Sequence, residues 1–514
     1  MNEKNKRWTM LALFLGLLEI LFIDAMSSIV GPGIVAELGS TDLYAFMYTL
    51  TFLCNTLALP ITSMLGNKSG RKYIIVAGVL VYGVSSLLAG LAGSMMFHVV
   101  MRGVQGIGKG CILGNVLAFF GESLDEQGRA KAMGFYGTLT GVVFVVAPLA
   151  GGAIGDLLGW RLTFYLSVPL TAVVLAVLLL KMPNLRPKDP AGGLDWAGTL
   201  LLSVLTIAIV MFFSWGGQTY SWVSVQVLGS LAVFLVSLVL FVRHINRCEH
   251  PVLSPALFRN REFVLVILGV VLIGPALYAV GSYLPMLCQA LAGMNATMSG
   301  AITALKSVVQ LALGYAVGAF IGKTGRIKLV LVTTSVVYAA SNFLMGLTRS
   351  PADMVWLILG VLLSGLGTTT YSMVYTLHAQ NELPESLVGE GTSAIQFLQS
   401  MSGTIGLSIA GMVLNTSFAR GLTGVVPEGL DAFLSAEELN GYMGTTLLTD
   451  PTAVEKAMAG LSEQGRTLFT QFVENLRSAY AGAMFNTFCV LGVLAAITLI
   501  FSLMARSSRQ AAKN

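Results

Sequence analysis

Residues 101–110 read Met101-Arg102-Gly103-Val104-Gln105-Gly106-Ile107-Gly108-Lys109-Gly110, inside an apolar stretch at about 97–120 that is long enough to cross a bilayer. Arg102, Gln105 and Lys109 stand at i, i+3 and i+7, so they share one helix face. A charge at the centre of a bilayer costs roughly 2.5–3.5 kcal/mol on insertion scales, so that face cannot look at lipid. It must meet other helices or a watery cavity. Composition agrees, because only 11% of the 514 residues are charged and 55% are hydrophobic. A soluble protein carries about 25% charged residues, and soluble domains could not cover their surfaces with so few.

Working outward, apolar stretches of crossing length recur at about 8–35, 44–65, 73–94, 97–120, 132–155, 161–180, 195–216, 222–243, 262–285, 297–321, 327–348, 352–376, 391–415 and 480–505. Fourteen is even, so both ends share a side. With the N-terminus inside, 21 Lys and Arg residues fall on the inner side and six on the outer, which places both termini in the cytoplasm. The hydrophilic stretch 416–479 then lies outside, with eight acids, four bases and an amphipathic run from Ala453 to Leu476 that predicts a short helix. It reads equally as a spacer or as a substrate gate. The inner segment from His378 to Glu390 carries acids and no bases, against the general pattern.

Other classes are set aside. A net charge of +5 is too mild to imply nucleic acid, and five scattered cysteines without CxxC spacing indicate neither a disulfide framework nor a zinc site. Three of the four histidines read as loop residues, so no metal or other cofactor is expected. The first apolar stretch is long, lacks an A-x-A site and contains Glu19 and Asp24, unlike a cleavable signal. There is no HExxH, no pair of intramembrane aspartates and no phosphate-cradling loop, so an enzyme is not expected.

Further motifs follow in order. The segment after the second span reads Ser63-Met64-Leu65-Gly66-Asn67-Lys68-Ser69-Gly70-Arg71-Lys72, a tight basic loop. The fifth span carries Gly137, Gly141, Ala147, Pro148, Gly151 and Gly152, then Trp160, Arg161, Phe164 and Pro169. Leu194 to Gly198 opens span seven, and Pro251-Val252-Leu253 with Leu257-Phe258-Arg259-Asn260 precedes span nine. With the RxxQGxG of span four, this series resembles the major facilitator superfamily, and within it the fourteen-span drug:proton antiporters that include quaternary-ammonium efflux pumps.

The resemblance implies an all-α polytopic membrane protein of the major facilitator fold. Two six-helix bundles, 1–181 and 251–514, would flank two inserted helices in 182–250. Gly318 to Arg326 looks like the first loop repeated, as two related halves require. The function implied is a proton-coupled efflux antiporter that exports amphiphilic drugs or toxic compounds by alternating access. An exporter or flippase of a lipid-like, anionic or zwitterionic metabolite is the alternative. The implied partners are a small amphiphilic substrate, protons and the lipid bilayer, for a monomer in a bacterial inner membrane. Asp24 resembles the family's first-span acid, implicated in proton coupling or cation binding, and Arg102 the arginine that tunes it. Asn67, Gly70, Arg71, Gln105, Pro148, Gly151 and Gly152 match gating positions.

Five ionisable residues lie within spans: Glu19, Asp24, Arg102, Lys109 and Lys306. Three bases against two acids leave a surplus positive charge. Lys109 stands where the family has a small residue, and Lys306 where it often has proline. Asp24 could form a structural ion pair with either instead of serving coupling. Glu19 lies about 140° round the helix from Asp24 and need not share its cavity. Span thirteen offers Gln396 and Gln399, beside Ser400, on one face, and spans nine to fourteen read as free of acids. Asp24, Lys109, Lys306, Gln396 and Gln399 are therefore the expected substrate contacts. This balance argues against a dicationic substrate and for neutral, zwitterionic or anionic amphiphiles.

Asn67 occupies the position of an acid that helps hold the family's inner gate shut, so that gate should be loose here. Asn67→Asp should shift the protein toward its outward-open state in accessibility labelling; unchanged labelling would refute the loose-gate reading.

Overall fold

The computed structural model describes residues 3–40, 43–123, 126–183, 195–216, 220–249, 251–384, 387–449 and 451–505. The helices are α1 (Glu3–Leu38), α2 (Leu43–Ser69), α3 (Arg71–Gly90), α4 (Met95–Ser123), α5 (Glu126–Leu158), α6 (Trp160–Tyr165), α7 (Ser167–Lys181), α8 (Trp196–Trp215), α9 (Val225–Ile245) and α10 (Pro255–Arg259). They continue as α11 (Arg261–Ala290), α12 (Ala296–Thr324), α13 (Ile327–Gly346), α14 (Met354–Glu382), α15 (Val388–Gly421), α16 (Ala436–Tyr442), α17 (Thr446–Thr449), α18 (Pro451–Met458) and α19 (Glu463–Met504). Among the described residues, fourteen helical segments are long and apolar enough to cross a membrane, with α6 and α7 together forming the sixth. Pro169 explains that break, because it has no N–H to give the carbonyl of Tyr165 four residues earlier.

Three local expectations are corrected. The basic loop expected across 63–72 is almost entirely helix. Only Gly70, at φ 98°, separates α2 from α3, a backbone conformation that suits glycine. Gly325, at φ 64°, ends α12 in the same way before Arg326, which matches the repeat seen in the sequence. The amphipathic run 453–476 is not one helix. It breaks after Met458 and restarts at α19, where Ser462 caps the new helix by accepting the Gly465 N–H. His244 and His378, read as loop residues, lie inside α9 and α14.

Packing pairs repeat between the halves. α1 packs on α5 and α7, α2 on α4, α3 on α4 and α7; correspondingly, α11 packs on α15 and α19, α12 on α14, α13 on α14 and α19. The two bundles are thus built alike. They meet where α5 lies on α12 and α2 on α15, with α1 touching α11, and the α8–α9 hairpin rests against α15 and α2. Residues 422–462 cover one end of this assembly, here named the loop face; the opposite end, where α2 turns into α3, is the basic face.

Backbone contact closes the loop face. A Cβ on Gly152 of α5 would sit 2.4 Å from the Ala296 carbonyl oxygen, and one on Gly300 of α12 would sit 2.2 Å from that of Pro148. Small residues let the two helices approach this closely. Asp156 then caps α12 from the other bundle. Its carboxylate accepts the N–H groups of Ala296 (3.0 Å) and Thr297 (2.8 Å) and the Thr297 hydroxyl. Tyr44 donates to the Ser282 carbonyl (2.6 Å), and the Gln289 amide to that of Ile29 (2.9 Å). At mid-depth Thr56 and Ser400 share a hydrogen bond of 2.7 Å. Above the seam, α17 packs on both α1 and α11, with Leu447 and Leu448 buried. A cavity of about 750 Å³ lies beneath it, lined by Glu37, Asp156, Trp160, Gln289 and Arg477 among others. The stretch between α15 and α19 is therefore a folded cap on the loop face.

Loss of a helix cap costs about 0.5–2 kcal/mol. Asp156→Ala should therefore shift the loop face several-fold toward separation, read as longer distances between spin labels at Leu157 and Met298. An unchanged distance distribution would show that the cap does not hold the seam.

Candidate functional site

The face predicted from residues 101–110 is assembled as a charge cluster between α1 and α4. Close packing brings it there, because a Cβ on Gly106 would sit 2.2 Å from the Thr51 carbonyl oxygen, so α4 lies directly on α2. Lys109 donates from Nζ to Oδ2 of Asp24 in an ion pair. Arg102 Nη1 stands 3.6 Å from Asp24 Oδ1 and donates to Gln105 Oε1, while its Nη2 donates to Ser27 Oγ at 3.1 Å. The Ser27 hydroxyl donates to the Asp24 carbonyl at 2.9 Å, and Tyr48 donates to the Ser27 carbonyl at 3.4 Å.

Aromatic faces complete the cluster. The Lys109 ammonium lies 5.2 Å from the Phe52 ring centre, and the Arg102 guanidinium carbon 5.7 Å from that of Phe164. Arg102 is sealed, with 2% of its side chain exposed, whereas Asp24 retains 20% and Lys109 13%. The acid and the lysine thus keep partial contact with water at membrane depth while the arginine does not. Two cations face one carboxylate, so the cluster carries a formal charge of +1.

A family model described as Major Facilitator Superfamily matches residues 12–407. The chain belongs to the major facilitator superfamily. It is 28% identical to the multidrug transporter protein MdtP of Bacillus subtilis over 99% of this chain and 96% of that protein. It is 26% identical to Multidrug resistance protein 3 of the same organism, over 98% of this chain and 96% of that one. The efflux pump FUS6 of Gibberella moniliformis is 26% identical over 90% of this chain and 82% of its own length. Among solved structures, a bacterial homologue of the human lysosomal transporter Spinster, in its inward-facing and unoccupied conformation, superposes with a TM-score of 0.63 at 17% identity, covering 99% of this chain and all of that one. An auto-inhibited peptide transporter of the POT family gives 0.65 at 14% identity, covering 98% of each chain. These structural likenesses bear on the fold.

Set in this superfamily fold, the expected residues separate by position. Asp24, Arg102, Gln105 and Lys109 come together, and the ion pair between Asp24 and Lys109 weighed from sequence is formed. Pro148 and Gly152 lie in the α5–α12 seam, while Gly151 faces α1, where a Cβ would sit 2.8 Å from the Met26 Cα. Gly70 and Arg71 lie on the basic face, with Arg71 Nη1 donating to Asn115 Oδ1 at 3.2 Å and to Ser63 Oγ at 3.5 Å. The Asn67 and Gln396 side chains and Leu194 lie outside the described residues.

Two substrate candidates stand apart from the cluster. Lys306 is buried on α12 with no ion pair or hydrogen bond to another described residue. Gln399 has an amide nitrogen buried without a hydrogen-bond partner among the described residues. Glu19 turns away from Asp24, and its Oε1 accepts the Thr171 hydroxyl of α7. The second bundle also departs from the acid-free expectation. Glu262, at the first turn of α11, is buried, with Oε2 3.6 Å from His378 Nε2. Both residues sit at span ends, where a sequence boundary uncertain by a few residues hides burial.

Sequence reasoning missed Ser27, although its position three residues after Asp24 places it on the same helix side. It also missed the aromatic seam. Tyr44 stacks near Tyr48 and Tyr283 at 5.2 and 5.8 Å, and Phe52 meets Tyr278 edge-on at 5.2 Å. Aromatic residues in apolar spans look the same whether they face lipid or a partner helix.

Removing one member of a partly exposed ion pair should cost about 1–3 kcal/mol. Lys109→Met should lower unfolding stability in detergent by that amount, and adding Asp24→Asn should recover much of it. Strictly additive losses in this double-mutant cycle would show that the two residues are uncoupled.

Proposed function

We propose that this superfamily member is a proton-coupled efflux antiporter that exports amphiphilic compounds by alternating access. The observation that carries this reading is a carboxylate at membrane depth, partly open to water and held by an ammonium on the neighbouring helix. Asp24 can engage Lys109, a proton or a cationic group on a substrate, and each weakens the hold of the others. Such mutual exclusion is the thermodynamic requirement of antiport. Arg102, sealed against Phe164 and tied to Gln105 and Ser27, keeps a fixed positive charge beside the acid.

With the basic face in the cytoplasm, the closed loop face supports reading this as the inward-facing member of the cycle. Outward opening would part α5 from α12 and α2 from α15 as the bundles rock. In this proposal 1–181 and 251–514 are the moving units and 182–250 the insert, in a monomer of a bacterial inner membrane. The names of MdtP, Multidrug resistance protein 3 and FUS6 support a small-molecule substrate and export.

A second reading rests on Lys306. A buried cation on α12 with no ion-pair partner among the described residues favours an anionic or zwitterionic, lipid-like substrate, exported or flipped between leaflets. Proteoliposomes with an imposed pH gradient and an internal pH dye separate the two. Amphiphiles of every charge class are added to wild type, Asp24→Asn and Lys306→Ala. Proton movement triggered by amphiphiles in wild type and lost in Asp24→Asn is the expected result. Loss confined to anionic compounds in Lys306→Ala would favour the second reading. Amphiphile-driven proton movement that survives in Asp24→Asn would contradict the first.

A further inference from the structure

Away from Asp24, the basic-face ends of α8 and α9 bring together three side chains of ligand type. Asp195 is the N-cap of α8, with Oδ1 accepting the Gly198 N–H at 2.7 Å and Oδ2 the Val252 N–H at 3.1 Å. His244, in the last turn of α9, places Nε2 2.6 Å from Asp195 Oδ1. Cys248 follows one turn later as a free thiol. One ligand atom from each residue lies within 4.8 Å of the other two. Asp195 is buried, while His244 and Cys248 are half-buried, so an ion has a path from solvent. No local spacing announces this cluster, because Asp195 and His244 are 49 residues apart and meet only through the α8–α9 hairpin.

We infer that Asp195, His244 and Cys248 form a three-ligand site for a divalent transition metal of the zinc class. A carboxylate, an imidazole and a thiolate are the mixed donor set that suits Zn²⁺, whereas Ca²⁺ and Mg²⁺ require oxygen donors. Carboxylate and thiolate together balance the ion's two charges. A tetrahedral ion at ordinary Zn–O, Zn–N and Zn–S lengths needs ligand atoms roughly 3.3–3.8 Å apart, which falls between the 2.6 Å hydrogen bond and the 4.8 Å limit of the cluster. Small side-chain rotations therefore suffice, and solvent takes the fourth position. A bound metal would clamp α8, α9 and the Val252 segment leading into α10, fixing the inserted hairpin to the second bundle's entry. This inference is independent of the transport reading.

The test uses the full-length chain, reduced and stripped of metal in detergent, titrated with Co²⁺ and then with Zn²⁺. One Co²⁺ per chain should give an intense near-ultraviolet thiolate-to-cobalt band with the visible bands of a four-coordinate site, all erased by Zn²⁺. Cys248→Ser should lose the near-ultraviolet band, His244→Gln should lose the four-coordinate spectrum, and Cys54→Ser should keep both. A weak six-coordinate spectrum in wild type, or a thiolate band that persists in Cys248→Ser, would overturn the assignment. Thermal unfolding of each variant checks that a lost band is not a lost fold.

Discussion

One carboxylate opposite two cations, well inside the membrane, is the constraint around which the first bundle is organised. Asp24, Lys109 and Arg102 would each be costly alone in an apolar medium, and each is tolerable because the others are there. Meeting that condition requires α1, α2 and α4 to approach closely. The glycines of α4 permit it, and Ser27, Gln105 and the rings of Phe52 and Phe164 finish the enclosure. The exposure gradient across the cluster gives it chemical direction. Arg102 is sealed, while Asp24 and Lys109 reach water.

The seam between the bundles follows a different rule. It is held by backbone proximity and short polar contacts instead of a large ionic network. Pro148, Gly152 and Gly300 let carbonyls approach the opposite helix directly, and Asp156 satisfies N–H groups at the start of α12 that would otherwise lack partners. Such contacts are individually worth about 1 kcal/mol, strong enough to select one arrangement and weak enough to be exchanged for another. The folded cap spans the same seam through α17, so any separation of α1 from α11 must also move the cap relative to at least one bundle.

Much of this was readable in the chain. Fourteen apolar stretches, the shared face of Arg102, Gln105 and Lys109, and the need of that face for an acid follow from bilayer thickness, helical period and the cost of buried charge. What escaped has equally physical reasons. The 63–72 segment looked like a loop because polarity and glycine mark turns, yet α2 runs on as far as Ser69 and one glycine makes the turn. The aromatic contacts of Tyr44, Tyr48 and Tyr283 were invisible because lipid and protein interiors select the same side chains. Asp195 with His244, and Asp156 with α12, join residues far apart in sequence, and only the folded chain brings them together.

The central claim is that a proton and a substrate compete at Asp24, and the pH dependence of substrate affinity in detergent tests it without any gradient or membrane. For a transported cationic amphiphile, the account predicts that the dissociation constant of wild type rises by up to about tenfold per pH unit as acidification protonates the site. In Asp24→Asn the affinity should be weaker and nearly independent of pH. An equal pH slope in the two proteins would place the competing proton elsewhere and contradict the account.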